Sequence, residues 1–502
     1  MRRPGPRLVE GLAVVLWLTA PGLLGCARPA PVVAPLLDPL QQLKQDISAA
    51  TTVPGVQRAA WGVVVHSLDR NERLFELNPR TLLVPASTAK LVALASAVDA
   101  VGWDHRYETV VRGSAPIVDG VLQGDLLVVG SGDPSIAGRA GGELATWVAA
   151  LKTTGLRRID GRVIGDDDSI EEPRPQLAWA WDDLGYPTGA IFGALNLAEN
   201  RMAITVNAGQ ALDSQPTFSM DPAAWSRPLR NRTVTGPAGS ALLLWPEQRP
   251  GEPFLTIAGS IPLGAAPARV QIAVGNPTAW FAGGFRAALI SGGIEVTGDA
   301  YDIDDVAPRP EWKYSAALYT HQSATLAEMA QPMMKNSINL YAEAVLRLNA
   351  PRGSLPTNDA ALAALRTRMT AWGIANDSWQ IIDGSGLSRR NAIAPEALVT
   401  ILQRMYDPSG ASPWMTALPV AGRDGTLAGR MAGTPAEGNV RAKTGTMSNI
   451  RTLAGYVRTR DGENLVFAIL TDNFEGSGAD ATAAVDRIAV RLAAFSRRAL
   501  IQ

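Results

Sequence analysis

The chain has 502 residues, enough for about three domains of ordinary size. Hydrophobic residues make up 46% and charged residues 19%, a globular balance, and 46 Lys+Arg against 47 Asp+Glu leave a net charge of −1, so no basic footprint for nucleic acid exists. One cysteine excludes an internal disulfide and any Cys-built metal centre; the three histidines (His66, His105, His321) lie far apart without HExxH, so no metal site is expected. Arg2, Arg3 and Arg7 precede a short apolar run, Gly11 to Ala20, which is too short to span a bilayer but suits an export signal.

That run ends in Leu23-Leu24-Gly25-Cys26, which holds the only cysteine. The string resembles a bacterial lipoprotein signal, which implies a signal peptide over 1–25 and a lipidated Cys26 that anchors the chain to a membrane. The alternative is an ordinary cleaved signal with an unrelated cysteine; either way the chain is exported to the periplasm or cell envelope. Residues 26–40 are Pro-rich and read as a tether.

Trp61 to Leu68, the turn Asp69-Arg70-Asn71 and then Leu74-Phe75 predict a hairpin. Pro85 opens a helix with Leu91, Val92, Leu94, Ala95 and Val98 at helical spacing. From 106 to 304 the texture changes to glycines, prolines and short apolar runs such as Asp125 to Val129 and Phe254 to Ile257, which is mostly β. Met333 to Leu348 reads as helical. Thr452 to Val457 and Leu465 to Leu470 flank Asp461-Gly462, a second hairpin, and Ala479 to Phe495 forms an amphipathic terminal helix. The expected organisation is one domain made from 41–105 and 305–502, interrupted by a mainly β insert over 106–304 that has room for two nested units.

Only six lysines occur, at 44, 90, 152, 313, 335 and 443; every other basic residue is arginine, which cannot serve as a base. Lys90 stands in Ser87-Thr88-Ala89-Lys90 at a helix start, where a spacing of three puts Ser Oγ and Lys Nζ on one face. The helix N-terminus would favour a developing alkoxide. Lys443 opens Lys443-Thr444-Gly445-Thr446 on a strand edge, where the lysine and both threonine hydroxyls can meet a carboxylate and Gly445 lets a ligand backbone approach. Ser337-Ile338-Asn339 supplies a third short string between them. Each is weak alone; S-x-x-K, S-x-N and K-T-G in that order form the signature set of β-lactamases and penicillin-binding proteins.

Ser337 follows Ser87 by 250 residues, far more than a compact β-lactamase needs. The chain resembles the class C low-molecular-mass penicillin-binding proteins, the D-alanyl-D-alanine carboxypeptidase/endopeptidase family. Further strings carry the likeness: Gly124-Asp125-Leu126, Gly132-Asp133-Pro134, Asp383 to Arg389, Leu418 to Gly422 and Asp424-Gly425. Ile338 departs from the Asp or Asn common at that place. The resemblance implies an α/β (α+β) serine β-lactamase/DD-peptidase-like fold: an antiparallel sheet flanked by helices, plus the β insert.

It also implies a reaction on D-Ala-D-Ala ends of peptidoglycan stem peptides, with β-lactams as acylating mimics. Ser87 is the implied nucleophile, Lys90 its base, Ser337 a proton relay and Asn339 a holder of the substrate amide. Lys443, Thr444 and Thr446 would meet the terminal carboxylate beside Gly445, with the Ser87 and Thr446 N–H groups as the oxyanion hole. Asp183, Arg389 and Met447 match family contacts to a diaminopimelate side chain; the Asp183 match can slip onto Asp182. No metal or organic cofactor is implied, and homodimerisation stays open. A Ser-His-Asp hydrolase lacks its G-x-S-x-G here, although Ser131 and Ser385 each sit between glycines. Two alternatives of other kinds remain: a serine β-lactamase, which would need a deacylating Glu among Glu343, Glu396 and Glu437, and an inactive cell-wall-binding lipoprotein.

Overall fold

The computed structural model describes residues 38–138, 143–220, 228–249, 252, 254–310 and 316–498. The expected signal peptide, Cys26 and nearly all of the tether lie outside the described residues. The tether's expected last two residues, Pro39 and Leu40, belong instead to a helix, α1 (Pro39–Thr51), with proline at the first turn, where its missing N–H costs nothing.

The two chain ends build one antiparallel five-stranded sheet. Its strands are β1 (Ala60–Ser67), β2 (Glu72–Leu77), β3 (Arg441–Met447), β4 (Ile450–Arg458) and β5 (Asn464–Asp472), in the order β2-β1-β5-β4-β3. β1 carries the contact between the ends, Trp61 opposite Thr471 through Ser67 opposite Leu465. Leu465, Phe467 and Ile469 enter one apolar cluster; Val466, Ala468 and Leu470 enter another on the opposite face. Both faces are therefore buried, which is why these strands read as continuous apolar runs.

One face is covered by α1 and by the terminal helix α6 (Gly478–Ala493). The other is covered by α2 (Ala89–Val101), α3 (Leu326–Lys335), α4 (Asn339–Arg347) and α5 (Pro395–Met405). Helix α2 is buried over its whole first half, Ala89 to Ala97, and Lys90 goes inside with it. The helical stretch expected from Met333 to Leu348 is in fact two helices. The chain breaks between α3 and α4, and Ser337 there adopts a left-handed conformation (φ +60°).

Among its described residues the middle of the chain is mostly β with two α-helices, Glu143–Thr153 and Pro277–Ser291. Its largest sheet has five strands and begins with Glu108–Gly113, which pairs antiparallel with the returning strand Ala317–Gln322. The expected insert boundary at 304 thus stops short of that return strand; the pairing of Glu108 with Gln322 carries the insert's sheet to residue 322. Smaller sheets of four, three and three strands complete the region. Several pairings are parallel, such as Leu126–Val129 beside Val163–Asp166.

Candidate active site

Ser87 lies in a 3-10 turn, Ala86–Thr88, directly before α2. Ala86 takes a left-handed φ of +45° there, a strained conformation for alanine that the surroundings must enforce. Those surroundings are β4 and β3. Thr452 Oγ1 donates to Pro85 O at 2.9 Å, and a Cβ at Gly445 would lie 2.7 Å from the same oxygen. Gly445 thus leaves room for the turn that carries Ser87.

Lys90 Nζ lies 2.9 Å from Ser87 Oγ, and it donates to Asn339 Oδ1 and to the Ser385 carbonyl, both at 2.7 Å. Asn339 is oriented by donating through Nδ2 to Thr188 O at 2.7 Å. Burial lowers the Lys90 pKa to about 7, against the opposing pull of Asp383 and Glu343. Lys90 can therefore lose its proton near neutrality, as a general base must.

Lys443 is fully buried on β3, an edge strand, and donates to Ser337 Oγ at 2.9 Å and to Thr444 O at 2.8 Å. Burial, then the charge of Lys90, hold its pKa well below the ordinary lysine value. It stands behind Ser337 rather than on the cavity wall.

A cavity of about 340 Å³ opens over these groups. Ser87, Ser337, Asn339, Thr444, Thr446 and Met447 line it, and so do Asp183 and Arg389. Asp183 is a lining residue and Asp182 is not. Gly445 and Lys443 do not line it. Sequence reasoning missed Thr426, whose Oγ1 lies 2.7 Å from Thr444 Oγ1, together with Thr188, Asn336 and Leu387. The strings Asp424-Gly425 and Asp383 to Arg389 flagged two of these neighbourhoods without assigning them a task.

The rival chemistries find no seat at this cavity. His321 lies 3.4 Å from Asp133, but neither residue lines the cavity, and His66 faces Asn71 at 3.1 Å. Glu343 is buried behind Ser385, while Glu396 and Glu437 pair with arginines outside the cavity.

The chain is 35% identical over 469 residues to the D-alanyl-D-alanine carboxypeptidase of an Actinomadura species, covering 91% of this chain and 85% of that protein. It is 25% identical over 416 residues to the D-alanyl-D-alanine carboxypeptidase DacB of Haemophilus influenzae, covering 81% and 84%. The crystal structure of penicillin binding protein 4 (dacB) from Haemophilus influenzae superposes with a TM-score of 0.76 at 24% identity, over 89% of this chain and 98% of that one. The same protein is also known in complex with a β-lactam. Residues 43–495 match the D-Ala-D-Ala carboxypeptidase 3 (S13) family, and the chain belongs to it.

Proposed function

We propose that Ser87 is the nucleophile of a serine-type D-Ala-D-Ala carboxypeptidase/endopeptidase acting on peptidoglycan stem peptides. The observation that carries this is the contact of a deeply buried Lys90 with Ser87 at 2.9 Å. Neutral Lys90 takes the Ser87 proton as Oγ attacks the carbonyl between two D-alanines. The backbone N–H groups of Ser87 and Thr446 face the developing oxyanion. When the peptide C–N bond breaks, Ser337, backed by Lys443, relays that proton from Lys90 to the departing D-alanine amine, which leaves Lys90 neutral again. Water then releases the acyl group from Ser87.

Thr444 and Thr446 receive the terminal carboxylate, with the field of Lys443 behind them. Asn339 keeps one N–H of its amide for the substrate carbonyl, since Thr188 O takes only one. Asp183, Arg389 and Met447 form the wall for the stem peptide's side chain; an amino acid with both an ammonium and a carboxylate at its tip matches that pair of charges. With no glutamate among the described residues that line the cavity, slow release of a penicilloyl group is expected.

The test is covalent labelling of the purified chain with fluorescent penicillin beside Ser87→Ala and Lys90→Ala. A lasting adduct in the parent, absent in Ser87→Ala and strongly reduced in Lys90→Ala, is the expected result. Rapid turnover without an adduct would establish a β-lactamase instead, and no reaction at all would leave a binding protein.

The family's substrate lies outside the cytoplasm, so the chain is read as exported. Attachment of lipid at Cys26 is part of the same proposal. Membrane association that survives Cys26→Ser would overturn it.

A further inference from the structure

We propose that Glu343 and Asp383 are positioning residues that clamp Ser385 from both sides and so aim the lone pair of Lys90 at Ser87. The inference rests on the reading of Ser87 and Lys90 as nucleophile and base.

A neutral lysine amine has two N–H bonds and one lone pair. Three oxygens lie around Lys90 Nζ: Ser87 Oγ, Asn339 Oδ1 and Ser385 O. The last two can only accept. They take both N–H bonds, and the lone pair is left facing the Ser87 hydroxyl. The direction of base catalysis therefore depends on where the Ser385 carbonyl points.

That carbonyl shares its peptide plane with the Gly386 N–H, which donates to Asp383 Oδ1 at 2.8 Å. A trans peptide puts C=O and N–H on opposite sides, so gripping the N–H turns the carbonyl toward Lys90. On the other flank the Ser385 N–H donates to Glu343 Oε1 at 2.9 Å. Both carboxylates are fully buried and neither lines the cavity. Asp383 is itself fixed by Ser388 N, Trp179 Nε1 and Asn391 Nδ2 at 2.7–2.8 Å.

Glu343 belongs to a stripe on α4 at spacing four: Asn339, Glu343, Arg347. Arg347 Nη1 donates to Glu343 Oε2 at 3.1 Å while Nη2 reaches Glu171 at 3.0 Å. Only a carboxylate can accept on both ends at once. A glutamine would turn its NH2 on Arg347 or on the Ser385 N–H, each of which is a donor. The stripe thus holds Lys90 directly through Asn339 and indirectly through Glu343 and Ser385. The charges of Asp383 and Glu343 also oppose the burial that strips Lys90 of its proton; burial and Asp383 raise the pKa of Glu343 itself, while Arg347 and the Ser385 N–H favour its ionised form.

The experiment is acylation of Ser87 by fluorescent penicillin from pH 5 to 9.5, resolved into the binding constant and the acylation step, for the full chain, Glu343→Gln and Glu343→Asp. Thermal melting of each protein is the control for folding. In the parent the acylation step should rise with pH through the Lys90 value. In Glu343→Gln the maximum should fall by at least about tenfold and the rise should move to lower pH, because a charge that holds the proton on Lys90 is gone. In Glu343→Asp the charge stays, so the rise keeps its position while the maximum falls, since the shorter side chain cannot reach Ser385 and Arg347 together.

A parent-like rate and profile in Glu343→Gln overturns the proposal. So does an equal loss in both variants with unmoved profiles, which marks a merely structural residue. If the glutamine variant does not fold, the aspartate variant decides: the loss must fall on the acylation step, and a loss in binding alone overturns the clamp. A parent that is never acylated sinks the Ser87 reading and the clamp with it; a parent that is acylated beside variants that match it sinks the clamp alone.

Discussion

Gly386 sets how close the turn of Ser87 and the loop of Ser385 can come. Gly386 sits at φ +82°, and a Cβ there would lie 1.9 Å from Ala86 O and 3.1 Å from Ser87 N. Both obstacles are backbone, so nothing flexible can yield. Gly386→Ala therefore has to displace either the nucleophile turn or the loop that carries the Ser385 carbonyl. The expected outcome is a loss of about 1–3 kcal/mol in stability together with at least about tenfold slower acylation, measured by urea unfolding and penicillin labelling. Gly429 is the control: it has open space around its Cβ position and no positive φ, so Gly429→Ala should leave both readings where they are. A parent-like Gly386→Ala would mean the loop and the turn are not rigidly opposed.

At the scale of elements, the helix ends separate folding from chemistry. Helix α6 opens with a reciprocal cap: Ser477 Oγ accepts from Asp480 N at 3.2 Å, and Asp480 Oδ2 accepts from Ser477 N at 2.9 Å. Its buried residues, Ala481, Ala484, Val485, Ile488, Ala489 and Leu492, close the sheet face away from the cavity. Ser477→Ala should cost about 0.5–2 kcal/mol and leave the acylation rate unchanged, as melting and labelling would show. A change in acylation would reveal coupling across the sheet that the structure does not display.

The same scale shows what the sequence makes legible. Strands β1, β4 and β5 and helices α2 and α6 follow from apolar period and turn residues, because their order is local. The nucleophile, base and K-T-G strings are legible for the same reason: each fits within four residues. The break between α3 and α4 is not, since the apolar period runs through it and only the pull of Lys443 on Ser337 from β3 gives the left-handed residue a purpose. Helix α1 had a signal, Leu43, Ile47 and Ala50 at helical spacing, hidden behind the preceding prolines. The insert's parallel pairings join distant segments and leave no local trace. The clamp is hidden for another reason: its working atom is a backbone carbonyl, to which the identity of Ser385 contributes nothing.

Over the whole molecule, burial shifts ionisable groups in both directions. Two buried lysines, Lys90 on α2 and Lys443 on β3, have lowered proton affinity, and the contribution of Lys90 makes folding more favourable as pH rises from about 7 toward the ordinary lysine value. The insert holds carboxyls with raised affinity: Asp166 and Asp167 at about 6, Glu172 at about 7, and Asp302 shifted upward. Burial is the leading cause in each, reinforced by neighbouring carboxylates such as Asp302 and Asp304 around Asp167. For a raised carboxyl the folded state keeps a proton that the unfolded chain has released. Stability from that group is present below the unfolded value of 3.8 and is lost as pH climbs through about 6. Asparagine at 167 can still accept from Thr278 Oγ1, as Asp167 Oδ2 does at 2.5 Å, but it never ionises. The difference in melting temperature between Asp167→Asn and the parent should therefore grow in favour of the variant from pH 4.5 to 7.5, while penicillin acylation at fixed pH is untouched. Because this is a difference between two proteins that share every other titrating group, the lysines drop out of it. A difference that stays constant with pH would show that Asp167 does not carry a folding-linked proton.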